Sequence, residues 1–520
     1  MIGPAPDDAA PPMPALACAG CGTVVEAISP AGVAWRCPRA GEGDVDHVLR
    51  VTPRRAGGAP GADGSEAGTA STALPRFVRE AGALVNPFLR YRHRLAVYAA
   101  ARAIGITDAG FAALVTALDA RVAEVDGRGF RVTPSRVETT LALHADLPCG
   151  QLITKVECGN VAGSHKGRHL FGLALWLAVE DQARARGVLP PVAGPPPRLA
   201  IASCGNAALA AAVVARAAGR DLDVFVPTWA DAAIVSRLQA LGATVAACAR
   251  QPGVAGDPCY HGFQDAVARG AVPFCCQGPD NGLGIEGGET IAWELLDALD
   301  GEALDAMFVQ VGGGALATAI ADGFLEASRA GRCARLPRLH AVQARGCAPL
   351  VRAYDAVVAW MLARDGYDAT PIDTLDPASA PIRRDRAMAM HAVDQGHHED
   401  RLDAALRHAA THRAAFMRPW ETEPRSLATG ILDDETYDWL AVVEAMLRTG
   451  GYPVLAAEET LALACRLAQE AAGVDASMTG TAGLAGLIDA APLDARLARE
   501  RVGLVITGAR RDPGDGVART

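Results

Sequence analysis

From Gln151 to Ala344 the chain alternates short apolar runs with longer amphipathic ones, and this alternation limits the fold more than any other feature. QLITKVE at 151–157, RLAIAS at 198–203, DVFVP, TVAAC, AVPFCC, AMFVQV at 306–311 and LHAVQA at 339–344 each read as a strand. Helical stretches such as HLFGLALWLAVEDQARARG, AALAAAVVARAAG, AAIVSRLQALG and ETIAWELLDAL lie between them. A last apolar strand, VGLVITG, stands at 502–508. Strands that alternate with helices imply a mostly parallel sheet covered on both faces, hence an α/β architecture.

Around that core the sequence divides further. Residues 1–14 are rich in Pro and Ala and are expected to be disordered, 15–50 form a small cysteine-bearing module, and 51–73 read as a flexible Gly/Ala/Ser/Pro linker. The catalytic body is then expected over 74–520, with a smaller subdomain at about 198–300 and a polar insertion at about 365–425. The insertion carries five of the twelve histidines, His391, His397, His398, His408 and His412. His408 and His412 share a helix face, but no cysteine or placed carboxylate completes a tetrahedral set, so the expectation is a solvated segment with surface histidines. Helical patterning resumes after Ser426.

Half the residues are apolar and 21% charged, too apolar for intrinsic disorder. The net charge of −10 argues against a nucleic-acid partner, since phosphate contact needs surplus cations. No apolar run approaches the ~20 residues of a membrane span, and the start MIGPAPDDAAPPMP lacks the shape of a signal peptide. The expectation is a cytoplasmic protein without a membrane partner, its thirteen cysteines reduced.

Of 49 cationic Lys and Arg residues only Lys155 and Lys166 are lysines. Arginine replaces lysine as a surface cation but not as a neutral, nucleophilic amine. Lys166 lies in ECGNVAGSHKGRH, 157–169, after a Gly-Ser-His turn and at the start of an apolar helix. Desolvation and the helix dipole there both favour the neutral amine, which suits a Schiff base. A helix-start lysine reaching to solvent is the plainer alternative.

In VQVGGGALATAIADG, 309–323, a strand meets three glycines and a helix, a cradle for an anion such as phosphate. Gly312, Gly314 and Ala317 also fit a dinucleotide fingerprint, but the following strand ends in Gln343 and Arg345 rather than in an acid for a ribose, which weakens a nicotinamide reading. In SCGNAALA, 203–210, a strand breaks into a helix whose N–H groups suit a carboxylate or a phenolic oxygen.

Taken in order, ExxNxxGSxK with a following Arg, SxGN, GGGxL and a closing strand ending in Thr-Gly resemble the fold-type II pyridoxal-phosphate enzymes of the tryptophan synthase β superfamily. Threonine synthase and the serine/threonine dehydratases are the nearest in pattern. The resemblance covers roughly residues 80–510 and implies two parallel-sheet subdomains. It makes Lys166 the catalytic, cofactor-bearing amine, with Lys155 in the family's K-x-E-x-x-N strand. Asn206 would bond the cofactor's 3-hydroxyl, and Gly312, Gly313, Gly314, Ala315 and Leu316 would hold its phosphate. Thr507 would face the pyridine nitrogen, while Ser203, Cys204, Gly205 and Asn206 would receive the substrate carboxylate. A neutral hydroxyl at 507 biases such a cofactor toward elimination or replacement and away from transamination. His165 and Cys204 depart from the commoner Phe and Ser, which bears on the substrate more than on the cofactor.

The implied function is a pyridoxal-phosphate lyase or synthase acting on a hydroxy- or phosphohydroxy-amino acid. The alternative is a non-catalytic cofactor-binding or regulatory member of the same fold. The family's habit implies a homodimer.

In the N-terminal module Cys18 and Cys21 have zinc-knuckle spacing, and Cys37 follows fifteen residues after Cys21. Ala40 stands where a fourth cysteine belongs. His47, with Asp46 as the weaker choice, completes a candidate structural zinc site, resembling a ribbon found on some threonine synthases; a degenerate, metal-free ribbon is the other reading.

Overall fold

The computed structural model describes residues 11–52, 85–192, 194–251, 254, 256–300, 302–392 and 395–511. The expected linker 51–73 and the expected disorder over 1–14 fall mostly outside these. Where they are described, Pro14 O accepts from Ala27 N and Thr52 N donates to Ala15 O, so both ends belong to the N-terminal module.

Two sheets organise the body. The larger has six strands in the order Val454–Ala456, Arg338–Ala344, Ala306–Gln310, Arg501–Ile506, Gln151–Val156 and Ser135–Val137. All neighbours are parallel except the last pair. The smaller has four parallel strands, Thr244–Cys248, Leu222–Pro227, Leu199–Ala202 and Val272–Pro273. Its strands fall between residues 199 and 273. The α/β fold with parallel sheets read from the sequence is the one observed.

The strand sequences account for this arrangement. Every residue of Ala306–Gln310 is buried, as are five of the six in Arg501–Ile506 and in Gln151–Val156. A strand apolar on both faces needs cover on both, which helices supply in parallel sheets. Each fully buried Leu, Val or Phe in these runs contributes about 1.5–3 kcal/mol. The helix Lys166–Ala185 is buried nearly all round and packs against both Gly284–Leu299 and Asn206–Ala217, linking the two sheets.

Register then sets the site. Val156 pairs with Ile506 and Phe308 with Leu504, so the carboxyl ends of three central strands lie level. From that edge emerge Glu157, Thr507 and the glycine turn after Gln310. Parallel α/β sheets place ligands beyond these ends.

The N-terminal module is a three-stranded antiparallel sheet, Val24–Glu26, Ala15–Cys18 and Leu49–Val51, plus a short Ile28–Ser29/Gly32–Val33 pairing. It is docked on the body: Leu16, Ile28, Cys37 and Leu49 share a core with Phe171, Trp176 and Trp293. Arg50 makes a two-pronged ion pair with Asp322 at 2.7 and 3.0 Å.

The polar insertion is more ordered than expected. It holds helices Ser379–Ala392, Gln395–Thr411 and Arg413–Phe416. Leu402, Ala405, Leu406, Ala409 and Ala410 form one buried helix face against the main core. His391 and His412 are exposed as expected, whereas His408 stacks on Trp360 at 4.8 Å. The side chains at 397 and 398 lie outside the described residues. All thirteen cysteines are free. Among the described residues no helix is long and apolar enough to cross a membrane.

Candidate active site

Lys166 opens its helix directly after an irregular turn. Asn160 caps the turn through Val161 N, Ala162 has φ of 54° and Gly163 of 72°. The Lys166 main-chain N–H donates to Ser164 Oγ at 3.3 Å. The backbone is thereby forced to change direction, which points the start of the helix at the carboxyl edge of the large sheet.

Beneath this turn lies a closed ionic network. Lys155 Nζ donates to Glu294 at 2.6 Å; Arg168 spans Glu157 at 2.9 Å and Glu294 at 2.5 Å; all four side chains are fully buried. Asn160 Nδ2 adds a bond to Glu157 at 2.7 Å, and the hydroxyls of Thr133 and Thr290 receive Arg168 at 3.1 and 2.9 Å. Two cations balance two anions, the condition under which buried charges are tolerated. Lys155 and Lys166 therefore divide: the first is locked in an ion pair, and only the second borders the site.

The Thr507 hydroxyl lies beside the lysine. Its Oγ1 accepts the His165 main-chain N–H at 3.0 Å and lies 2.9 Å from His165 Nδ1. Burial, together with the Lys166 charge, pushes His165 well below the usual histidine range and His169 down to about 3, so both rings are neutral. Among the described residues the Nε2 atoms of both are buried without a partner. His169 Nδ1 meets Gly284 O at 2.8 Å, which fixes its tautomer.

The glycine turn closes the other side. Gly314 has φ of 101°, a conformation glycine adopts without strain, and caps the helix Ala315–Arg329. The turn is covered by the segment 431–438. A Cβ on Gly312 would run into Asp433 Oδ2 and Ile431 Cα, and one on Gly314 would lie 3.0 Å from Asp438 Cβ. Asp438 N donates to Gly313 O at 2.8 Å, and the Asp433 carboxylate lies against the turn. Burial holds that carboxyl up to about 6 against the opposing pull of the Lys166 charge. The Lys166 charge also acts on Cys276 and Asp438.

The 203–206 turn completes the ring of groups. Gly205 N donates to Ser203 Oγ at 3.4 Å and Asn206 begins the helix. Asn206 Oδ1 accepts Arg511 Nη1 at 2.6 Å, and its Nδ2 faces Gly508, 2.9 Å from where a Cβ would stand. With Oδ1 taken, the free face of the amide is a donor. Cys204 is pushed up to about 11 by burial and by the charges of Asp433 and Asp257.

The Lys166 turn, Thr507 and the 312–316 turn thus follow neighbouring strands at the carboxyl edge of the large sheet, and Asn206 faces Gly508 beside them. Sequence reasoning missed Asp433, Asp438 and Arg511, which lie in loops without periodicity and meet the site only through tertiary packing.

The profile of the "Pyridoxal-phosphate dependent enzyme" family matches residues 129–419. The chain belongs to this family. It is similar to threonine synthase of Synechocystis sp., 29% identical over 207 residues, covering 39% of this chain and 48% of that one. It also resembles threonine synthase of Methanocaldococcus jannaschii, 24% identical over 192 residues, covering 36% and 47%. The matched segments span about half the length of these relatives. Among solved structures, diaminopropionate ammonia lyase from Escherichia coli superposes with a TM-score of 0.50 at 15% identity, covering 78% of this chain and 89% of that one, a likeness of fold.

The residues present fit the family's cofactor. A three-glycine turn stands at a helix start with a carboxylate oxygen against it, an amine stands at another helix start, and Asn206 keeps its amide N–H face for a ligand. In the Nδ1–H tautomer of His165, Thr507 accepts twice and keeps its own proton for a ring nitrogen.

A second group lies apart from this site. The ligand atoms of Cys18, Cys21, Cys37 and His47 are all within 4.8 Å of one another. Cys21 and Cys37 sulfurs are 3.7 Å apart and Cys18 Sγ is 3.6 Å from His47 Nδ1. Zn–S bonds of about 2.3 Å in a tetrahedron place two thiolates roughly 3.8 Å apart, so the spacing suits zinc. His47 Nε2 meets Glu42 O at 3.0 Å, a typical outer-shell bond. Asp46 instead ion-pairs with Arg413 at 3.2 Å, which leaves His47 as the fourth candidate ligand.

Proposed function

We propose that this protein is a pyridoxal-phosphate lyase or synthase that carries out elimination or replacement on a hydroxy- or phosphohydroxy-amino acid, of the threonine synthase and serine/threonine dehydratase type. The observation that carries the reading is the meeting of Lys166, Thr507 and the glycine turn at one sheet edge. When bound, pyridoxal phosphate supplies a sink for the electron pair left by removal of the α-proton.

The chain's own groups have distinct tasks. Lys166 Nζ holds the cofactor and, once freed, takes the α-proton and returns it to the product. The N–H groups of 312–316 bind the phosphate at a helix start, and those of 203–206 bind the substrate carboxylate. Asn206 Nδ2 donates to the 3-hydroxyl oxygen. A neutral Thr507 donor leaves the ring nitrogen unprotonated, which moderates the sink and favours loss of a β or γ leaving group. The neutral His165 and His169 add no competing positive charge next to the amine.

Within the substrate pair the acid-lined turn favours the hydroxy acid. Asp433 and Asp257 act on Cys204, and a phosphoryl leaving group beside two carboxylates would meet like-charge repulsion. We further propose that Cys18, Cys21, Cys37 and His47 hold a structural zinc, since four closed ligands leave no position for a reacting water.

The test is reconstitution. Purified protein with pyridoxal phosphate should turn yellow, and borohydride should fix the cofactor mass on the peptide containing Lys166. Lys166→Ala should stay colourless. A panel of serine, threonine, phosphoserine and phosphohomoserine, followed by solvent deuterium uptake at Cα, should show exchange with a hydroxy acid. A yellow protein that exchanges none of them would be a binding-only member, and a colourless wild type would end the reading.

A further inference from the structure

Behind the glycine turn, on the far side of the helix Ala315–Arg329, a cavity of about 1610 Å³ opens between that helix, the N-terminal module and the helix Trp439–Thr449. Its wall includes Arg50, Glu289, Thr318, Asp322, Asp438 and Glu444. The ion pairs do not close. Arg50 is committed to Asp322 at 2.7 Å and reaches Glu444 at 3.5 Å, whose other oxygen takes Arg448 at 2.9 Å. Among the described residues neither Glu289 nor Asp438 has an ion pair. Asp438 Oδ2 and Thr318 Oγ1 are buried with no hydrogen-bond partner among the described residues, at 3% and 2% residue exposure.

Arg50, Arg94, Arg329, Arg407 and Arg448 also line the cavity, but among the described residues none of them ion-pairs with Glu289 or Asp438, so these two carboxylates and the unused Thr318 hydroxyl are open to a cation from outside the chain. Apolar side chains, Ile285, Ile320 and Leu440 among them, share the lining, and the volume far exceeds that of a metal ion. We propose that this cavity binds a small organic cation, an ammonium group with a hydrocarbon body, held by Glu289, Asp438 and Thr318. Burial and neighbouring acids push Glu289 well above the carboxylate range and Asp438 up to about 7, as expected of a seat lacking its counter-charge.

Such a ligand would be sensed at the cofactor. Asp438 N donates to Gly313 O, and Thr318 lies one turn into the helix that starts at the cradle. The cavity is therefore a place for an effector, and its existence does not depend on which amino acid the site consumes.

The experiment uses the holoenzyme and reads the melting temperature and calorimetric binding, not turnover. The probe is tetramethylputrescine, whose tertiary amines carry charge and cannot condense with an aldehyde; neutral butanediol is its control. A saturable rise in Tm with the diamine and none with the diol is expected. Binding should weaken at least tenfold in Glu289→Gln and in Thr318→Val, both with cofactor absorbance intact. An equal response to the diol, a saturable response to magnesium in place of the diamine, no response at all, or undiminished binding by both variants would each overturn the proposal.

Discussion

Thr507 Oγ1 lies within 3.0 Å of the main-chain nitrogen and 2.9 Å of the ring nitrogen of His165, a residue 342 positions earlier in the chain. One hydroxyl thus ties the last strand of the large sheet to the turn that aims Lys166. Thr507→Val keeps the volume but leaves a buried N–H without its acceptor, at a cost of about 1–3 kcal/mol. Lower urea stability and a weaker, shifted cofactor band are expected, with Thr507→Ser retaining both near wild type; absorbance and denaturant titration on the three proteins check this.

Asp433 supplies a second prediction. Its carboxylate lies against the glycine turn that the cofactor phosphate would use. Asp433→Asn removes one negative charge from the cradle, so cofactor affinity should rise by roughly tenfold, about 1.4 kcal/mol. Fluorescence titration of apoprotein measures it; an unchanged or weaker affinity would mean that Asp433 does not compete with the phosphate.

The ionic network under the site is a stability element. Arg168→Leu leaves Glu157 and Glu294 facing each other with Lys155 as their only fully buried cation, and should destabilise by roughly 3–5 kcal/mol. Urea unfolding of the apoprotein reads this apart from any catalytic loss.

Asp438 gives a pH signature. Burial raises its carboxyl to about 7, whereas an unfolded aspartate titrates near 3.9. The native state therefore keeps a proton that the unfolded chain releases between about pH 4 and 7, and stability falls as pH rises through that window. Melting temperatures across the window should show this slope in wild type and a flatter one in Asp438→Asn.

For the N-terminal module, metal analysis should find about one zinc per chain, lost in Cys37→Ser. Because the module shares a core with Phe171 and Trp176, the loss should also lower the melting temperature of the whole body. A local loss confined to residues 15–50 in hydrogen exchange would contradict that coupling.

Much of this was legible in the sequence because strands buried on both faces must be apolar throughout. VGLVITG at 502–508 and AMFVQV at 306–311 could hardly be anything else, and the structure has strands at Arg501–Ile506 and Ala306–Gln310. The edge strand Ser135–Val137 carries no such pattern, being polar and largely exposed, and went unread. The spacing of Leu402, Ala405, Leu406, Ala409 and Ala410 is a helical stripe that the surrounding Asp, Arg and His residues masked. At the site, motifs announced the residues that glycine and lysine chemistry requires. Asp433 and Arg511 followed from no motif, because their roles arise only where distant loops pack together.

The helix that begins at Lys166 is wedged between the partners of both sheets, Gly284–Leu299 on one side and Asn206–Ala217 on the other. If the smaller sheet swings as substrate enters, this helix is the axle. The amine would then stay nearly still while the 203–206 loop travels, so that closing the cleft brings the amino acid to a stationary reagent.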